Sequence, residues 1–175
     1  WSNTSLSSSK NDVISKINAI TSNDYDIPGN TNGQGTNVQS GLARANKLLE
    51  NSTAKNKVVI LLTDGGPTLF DYEGKTYGTG NSDTDICVEY SETETERVCG
   101  LFGCYDQPKC VKEIKPSDAA KTEATNLKSA NVAIYSVGFG VKESIYDSND
   151  TKESKKNARD FLQSVATKTT APYYL

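Results

Sequence analysis

The apolar positions of this chain fall into two kinds of segment that alternate along it. Val38, Leu42, Ala45, Leu48 and Leu49 recur at helical spacing with Lys and Glu opposite, and Val13, Ile14, Ile17 and Ile20 do the same behind a Ser9-Lys10-Asn11-Asp12 start that resembles a capping box. Ala120, Ala124, Leu127 and Ala130 behind Pro116 and Ser117 predict a third helix, and Ala158, Phe161, Leu162 and Val165 a fourth. Between the helices lie short continuous runs. Lys57 to Thr63 and Val132 to Val137 are aliphatic and β-branched, as expected of central strands buried on both faces, and Tyr173 to Leu175 predict the start of a last strand. Helices alternating with buried strands predict an α/β fold, a doubly wound, mainly parallel sheet with helices on both faces. Three strands are too few to cover four amphipathic helices, so further strands are expected on the amino-terminal side.

The alternation breaks between Thr68 and Lys115. This stretch is rich in Gly, Tyr, Thr and Glu, lacks a long periodic segment and holds all four cysteines, Cys87, Cys99, Cys104 and Cys110. It reads as an insertion, which divides the chain into 1–67, an inserted arm 68–115, and 116–175. Clustered cysteines predict a disulfide framework made in an oxidising compartment, with three pairings open. A structural zinc site is the alternative, but paired C-x2-C knuckles are missing and the chain has no His. Tyr72, Tyr77, Tyr90, Phe102 and Tyr105 give the arm aromatic groups, most of them expected in a small core of its own.

At 175 residues and a mean hydropathy of -0.58, the chain suits one polar domain with long exposed loops. A net charge of -3 with interspersed signs offers no basic face for nucleic acid, and no apolar run is long enough to cross a bilayer. Without Met or a signal stretch, the sequence is expected to be a processed piece or a segment of a longer protein.

The candidate chemistry lies at two breaks in the pattern. A glycine-rich loop delivers Thr36 to the start of a helix, and the first strand ends in Asp64 followed at once by Gly65, Gly66 and Pro67. A hydroxyl and a carboxylate are hard oxygen donors of the kind that suit Mg2+, Mn2+ or Ca2+ at the rim of an open α/β sheet. Alone, the pair is ambiguous. A Thr ahead of a helix is commonly its N-cap, and a strand-end Asp also marks phosphotransfer and hydrolase folds.

Three segments narrow the choice: GQGTNVQSGL at 33–42, VVILLTDGGPT at 58–68 and ANVAIYSVGFG at 130–140. In sequence and in order they resemble von Willebrand factor A-type domains, as found in surface and pilus-tip adhesins. The resemblance implies a doubly wound sheet with a metal-ion-dependent adhesion site at its carboxyl-terminal rim, Thr36 matching the second element of that site and Asp64 the third. The family's first element, D-x-S-x-S after an opening strand, has no counterpart here, so the chain resembles a partial domain and is expected to bind divalent cations weakly by itself. A carboxylate from an extracellular protein or glycan would complete the metal's octahedron, with pilus subunits or other segments of the same polypeptide as further partners.

These implications describe a non-enzymatic adhesion module at the cell surface, cell wall or pilus. Two alternatives stand beside it: an intracellular chelatase-type assembly subunit, against which the cysteines count, and an α/β hydrolase-like enzyme using Asp64. The enzyme lacks His, a G-x-S-x-G elbow and a phosphate-binding glycine loop. Asp83 with Asp85, and Asp147 with Asn149 and Asp150, do not match a calcium-loop pattern and read as solvated turns.

Overall fold

The computed structural model describes residues 9, 11, 14–15, 35–80, 83–101, 103–139 and 152–167. The segments around the first predicted helix, apart from helical Asn11, Ile14 and Ser15, lie outside the described residues, as do Phe102, the 147–150 acidic group and the last predicted strand.

Strand β1 (Lys57–Thr63) and strand β6 (Val132–Gly138) pair in parallel, in unbroken register from Lys57 opposite Val132 to Thr63 opposite Gly138. Three helices pack on them: α1 (Val38–Glu50), α2 (Pro116–Ser129) and α3 (Lys152–Val165). Val38 and Leu42 of α1, Ala120, Ala124 and Leu127 of α2, and Phe161, Leu162 and Val165 of α3 meet Val132 and Ile134 in one core, with Val59 and Leu61 packed against it. Ala120, Ala124 and Leu127 of the stripe read from the sequence form the buried face of α2, whereas Ala130, at its C-cap, is exposed.

Two expectations are corrected. Strand β1 is not buried on both faces: its exposure alternates, and Val58, Ile60, Leu62 and the neighbouring Tyr135 are 49–65% exposed. The cause is that the described helices share one side of the sheet. Val59, Leu61, Val132 and Ile134 point to that side, whereas no described helix covers the other. The described residues thus form the mixed α/β arrangement expected, as a parallel strand pair with helices on one side.

The stretch between the sheet's two strands is also more regular than its sequence suggests. It holds two antiparallel hairpins, β2 (Leu69–Tyr72) with β3 (Lys75–Gly78), and β4 (Ile86–Gly100) with β5 (Gly103–Ile114). The first turns through Glu73 and Gly74, both at positive φ, as a two-residue hairpin turn requires. The second is the arm. Disulfide Cys87–Cys110 joins its strands toward the root, and Cys99–Cys104 joins directly opposed residues at the tip, where Leu101 is fully exposed. A two-stranded ribbon is marginal in water, and closing these loops covalently removes freedom from its unfolded state worth about 3 and about 2 kcal/mol.

The loop between the hairpins is fastened to α2. Asp83 Oδ1 accepts a hydrogen bond from the Ser117 backbone N–H at 2.8 Å, supplying the side-chain cap that Lys115, at the N-cap position, does not. Asp85 pairs with Lys115 at 3.6 Å. Asp83→Ala is expected to cost about 1 kcal/mol, leaving a first-turn N–H of α2 unpartnered. Thermal melting would register that as a fall of about 2–4 °C.

Candidate functional site

Asp64 stands at the carboxyl end of β1, held out by the turn that follows. The buried Thr63 hydroxyl donates to the Gly65 carbonyl at 2.8 Å and accepts from the Gly65 N–H at 3.3 Å, a local side-chain turn that aims the intervening residue outward. The Thr63 carbonyl accepts from the Phe139 N–H at 2.9 Å, fixing the end of β1 to the residue beyond β6. Asp64 is exposed, whereas Pro67 is fully buried and anchors the far end of the turn.

Thr36 reaches the same rim from the other direction. Its N–H donates to the Thr68 hydroxyl at 2.9 Å, and its carbonyl accepts from the N–H groups of Thr68 and Leu69 at 2.9 and 3.2 Å. Thr68 lies four residues after Asp64 in the chain. The two predicted donors thus occupy adjoining loops that are stitched together through the backbone. Gly35 permits this approach, because a Cβ there would lie 2.5 Å from the Leu69 side chain.

The N-cap of α1 is Asn37, not Thr36. Asn37 Oδ1 accepts from the Ser40 N–H at 3.0 Å, and its Nδ2 donates to Asp71 Oδ1 at 2.9 Å. Gln39 Oε1 accepts from the Asp71 N–H at 3.1 Å. Strand β2 is therefore laced to the start of α1, and the structural role open to the Thr36 hydroxyl in the sequence is filled by its neighbour. Sequence reasoning missed Asn37, although Asn is a strong N-cap residue.

The arm is oriented beside this rim by a polar clasp. The Tyr72 hydroxyl donates to Glu89 Oε1, while Lys112 Nζ donates to the Tyr72 oxygen at 2.7 Å and to Glu89 Oε1 at 2.9 Å and lies 4.5 Å from the Tyr72 ring centre. The Tyr72 hydrogen bond, then the Lys112 ammonium, hold the Glu89 carboxyl below its usual range. The same contacts hold Lys112 and Tyr72 protonated above their ordinary values, Lys112 chiefly through Tyr72 and Tyr72 chiefly through Glu89. A lowered carboxylate contributes its stabilisation above the unfolded value and loses it as the pH falls through the folded one. Protection factors of amides at the root of the arm, which correct for the intrinsic pH dependence of exchange, are accordingly expected to be high at neutral pH and to fall below the usual carboxylate range. Glu89→Gln should remove that acid step; an unchanged step in the variant would refute the assignment.

Of the aromatics between Thr68 and Lys115, Tyr77 stacks on buried Phe70 at 5.8 Å and meets Tyr72 edge-on at 6.4 Å, whereas Tyr90 and Tyr105 are exposed. Among the described residues, all four cysteines are disulfide-bonded and no group of three or more His, Cys, Asp or Glu side chains is gathered to hold a metal.

No family model matches the chain, and no curated protein matches it. Among solved structures it is similar to the pilus adhesin SpaC of Lactobacillus rhamnosus GG, at 21% identity over 81% of this chain and 17% of that one, with TM-scores of 0.45 and, for its open conformation, 0.46. It is also similar to the vWF domain of the type V pili tip protein Mfa5 of Porphyromonas gingivalis, at 16% identity over 81% of this chain and 62% of that one, with a TM-score of 0.46. The chain thus spans about a sixth of the SpaC length and under two thirds of the Mfa5 domain.

Proposed function

We propose that the chain is part of a non-enzymatic adhesion module of the von Willebrand A type, displayed outside the cell, at a surface or pilus tip, and binding a protein or glycan carboxylate through a divalent metal. The observation that carries this reading is the backbone stitching of Thr36 to Thr68, which brings the two family-matched donors into adjoining loops at the rim of a parallel strand pair. The Asn37 cap supports it by leaving the Thr36 hydroxyl out of helix capping. Two disulfides favour an oxidising compartment over the cytoplasmic setting of a chelatase-type subunit.

The donor set fits a hard cation in kind. The Thr36 hydroxyl and the Asp64 carboxylate would hold Mg2+ with two oxygens of six, the others coming from water, from the ligand's carboxylate and from residues beyond those described. Bound there, the metal would supply a positive charge that a carboxylate can ligate. The protein's own part is orientation: the Thr63 turn presents Asp64, and Thr68 positions Thr36.

Weak binding of this kind is best read with Mn2+ as a paramagnetic probe. Amide signals of Thr36 and Gly65 should broaden at Mn2+ levels that leave α2 untouched, Mg2+ should reverse the effect, and Asp64→Ala should abolish it while the rest of the spectrum is preserved. Broadening that survives Asp64→Ala would sink the metal reading.

A further inference from the structure

An open cavity of about 370 Å3 lies between β2, the root of the arm and the first turns of α2, and neither candidate metal donor lines it. We propose that it receives a cationic side chain, Lys or Arg, of a protein partner. The partner's being a protein rests on the adhesion reading; the cavity's preference for a cation does not.

The walls supply the two things a long cationic side chain needs. Phe70, Tyr72 and Ile114 give an apolar surface along which a methylene stem can lie, and the size is that of a typical ligand site, about 300–1,000 Å3. Around them stand five carboxylates, those of Asp71, Asp85, Glu113, Asp118 and Glu123, with Lys115 the one cationic residue of the lining and Lys121, outside it, paired with Asp118 at 3.1 Å. Low-dielectric walls lined by one sign of charge concentrate the opposite one. The acids come from β2, the inter-hairpin loop, β5 and α2, and they do not gather into a chelating group. That spacing suits a delocalised or extended cation better than a bare metal ion.

A second observation points the same way. The chain seats its own ammonium groups on these lining residues: Lys115 Nζ beside Asp85 at 3.6 Å, and, from outside the lining, Lys121 Nζ beside Asp118 at 3.1 Å and Lys112 Nζ over the ring of Tyr72 at 4.5 Å. The Lys115 pair is long and both side chains are about half exposed, so an incoming cation can displace it. The cavity also abuts the Thr36 loop, because Gln39 and Asp71, which lace β2 to α1, form part of its lining. A partner segment carrying an acidic and a basic residue would engage the rim and the cavity together.

The test is an NMR titration of the chain in EDTA with N-acetyl-lysine amide and N-acetyl-arginine amide, and with N-acetyl-norleucine amide as the uncharged control. Saturable shifts of the Ile114 methyl groups and the Ala119 amide are expected with either cation and not with norleucine. They should weaken at least tenfold in the Asp85→Asn, Glu123→Gln double variant, provided its spectrum shows the native fold; Glu113→Gln serves if it does not. Absence of saturable shifts, equal shifts from norleucine, or unchanged affinity in the folded variant would overturn the proposal. Because EDTA removes divalent metal, these outcomes are independent of the Mn2+ experiment: failure here leaves the metal reading standing, and failure there leaves the cavity.

Discussion

Phe70→Ala is expected to destabilise the chain by about 3–5 kcal/mol, enough to unfold much of a domain of ordinary marginal stability. Phe70 is fully buried in β2, stacked on Tyr77 and forming a wall of the acidic cavity. Its neighbour Leu69 is also buried and lies against Gly35, so truncation at 70 opens a void beneath the strand that holds Thr36 in place. Urea denaturation followed by far-UV circular dichroism would report the loss. Phe70→Leu, which keeps most of the volume, should recover more than half of it; equal losses in the two variants would show that the site is not a packed core position.

Opening the root bridge has a different signature. Replacing Cys87 and Cys110 together by Ser should cost the arm about 3 kcal/mol, from the freedom restored to the unfolded loop. The core of α1, α2, α3, β1 and β6 contains no residue of the arm's two long strands, so it should be spared. Hydrogen exchange with peptide resolution would separate the two: faster exchange across 86–100 and 103–114, unchanged exchange in α2 and β6. Uniform acceleration would mean that the arm and the core unfold as one unit. The tip bridge closes a shorter loop and its loss should be milder.

The sequence was most legible where packing follows period. The stripe of α1, the Pro-Ser opening of α2 and the face of α3 were readable from residues recurring every three or four positions; the structure buries Val38 and Leu42 of the first with Ala45, Leu48 and Leu49 half-buried, and buries Pro116 and Ser117 and the whole predicted face of α3. The run of β1 was legible as a strand but not as a one-sided one: a continuous aliphatic segment has the same composition whether one face or both are covered, and only the placement of helices decides. The arm was illegible as strand for the opposite reason. Residues 91–96 read Ser-Glu-Thr-Glu-Thr-Glu, polar on both faces, so there is no apolar alternation to mark β4; cross-strand pairing and two disulfides hold it instead. Thr36 and Asp64 could be singled out by motif, but the joining of the Thr36 loop to the segment after Asp64 depends on hydrogen bonds to Thr68 and on Gly35 passing under Leu69, which no local pattern encodes.

Asp83 is a related case. In the sequence it is one acid in a polar loop, and a solvated turn is the natural expectation. The structure gives it a partner 34 residues away at Ser117. Such remote caps become visible only when the fold brings a loop to a helix end, and they explain why a short acidic stretch without a metal pattern still has a defined position.

The Thr36 carbonyl is shared by Thr68 and Leu69, and Leu69 opens the strand that the Tyr72 clasp joins to the arm. A pull on the tip would therefore divide at the root of the disulfide-braced ribbon, one path passing through the clasp into the loop that carries Thr36 and the other running straight from β5 into α2.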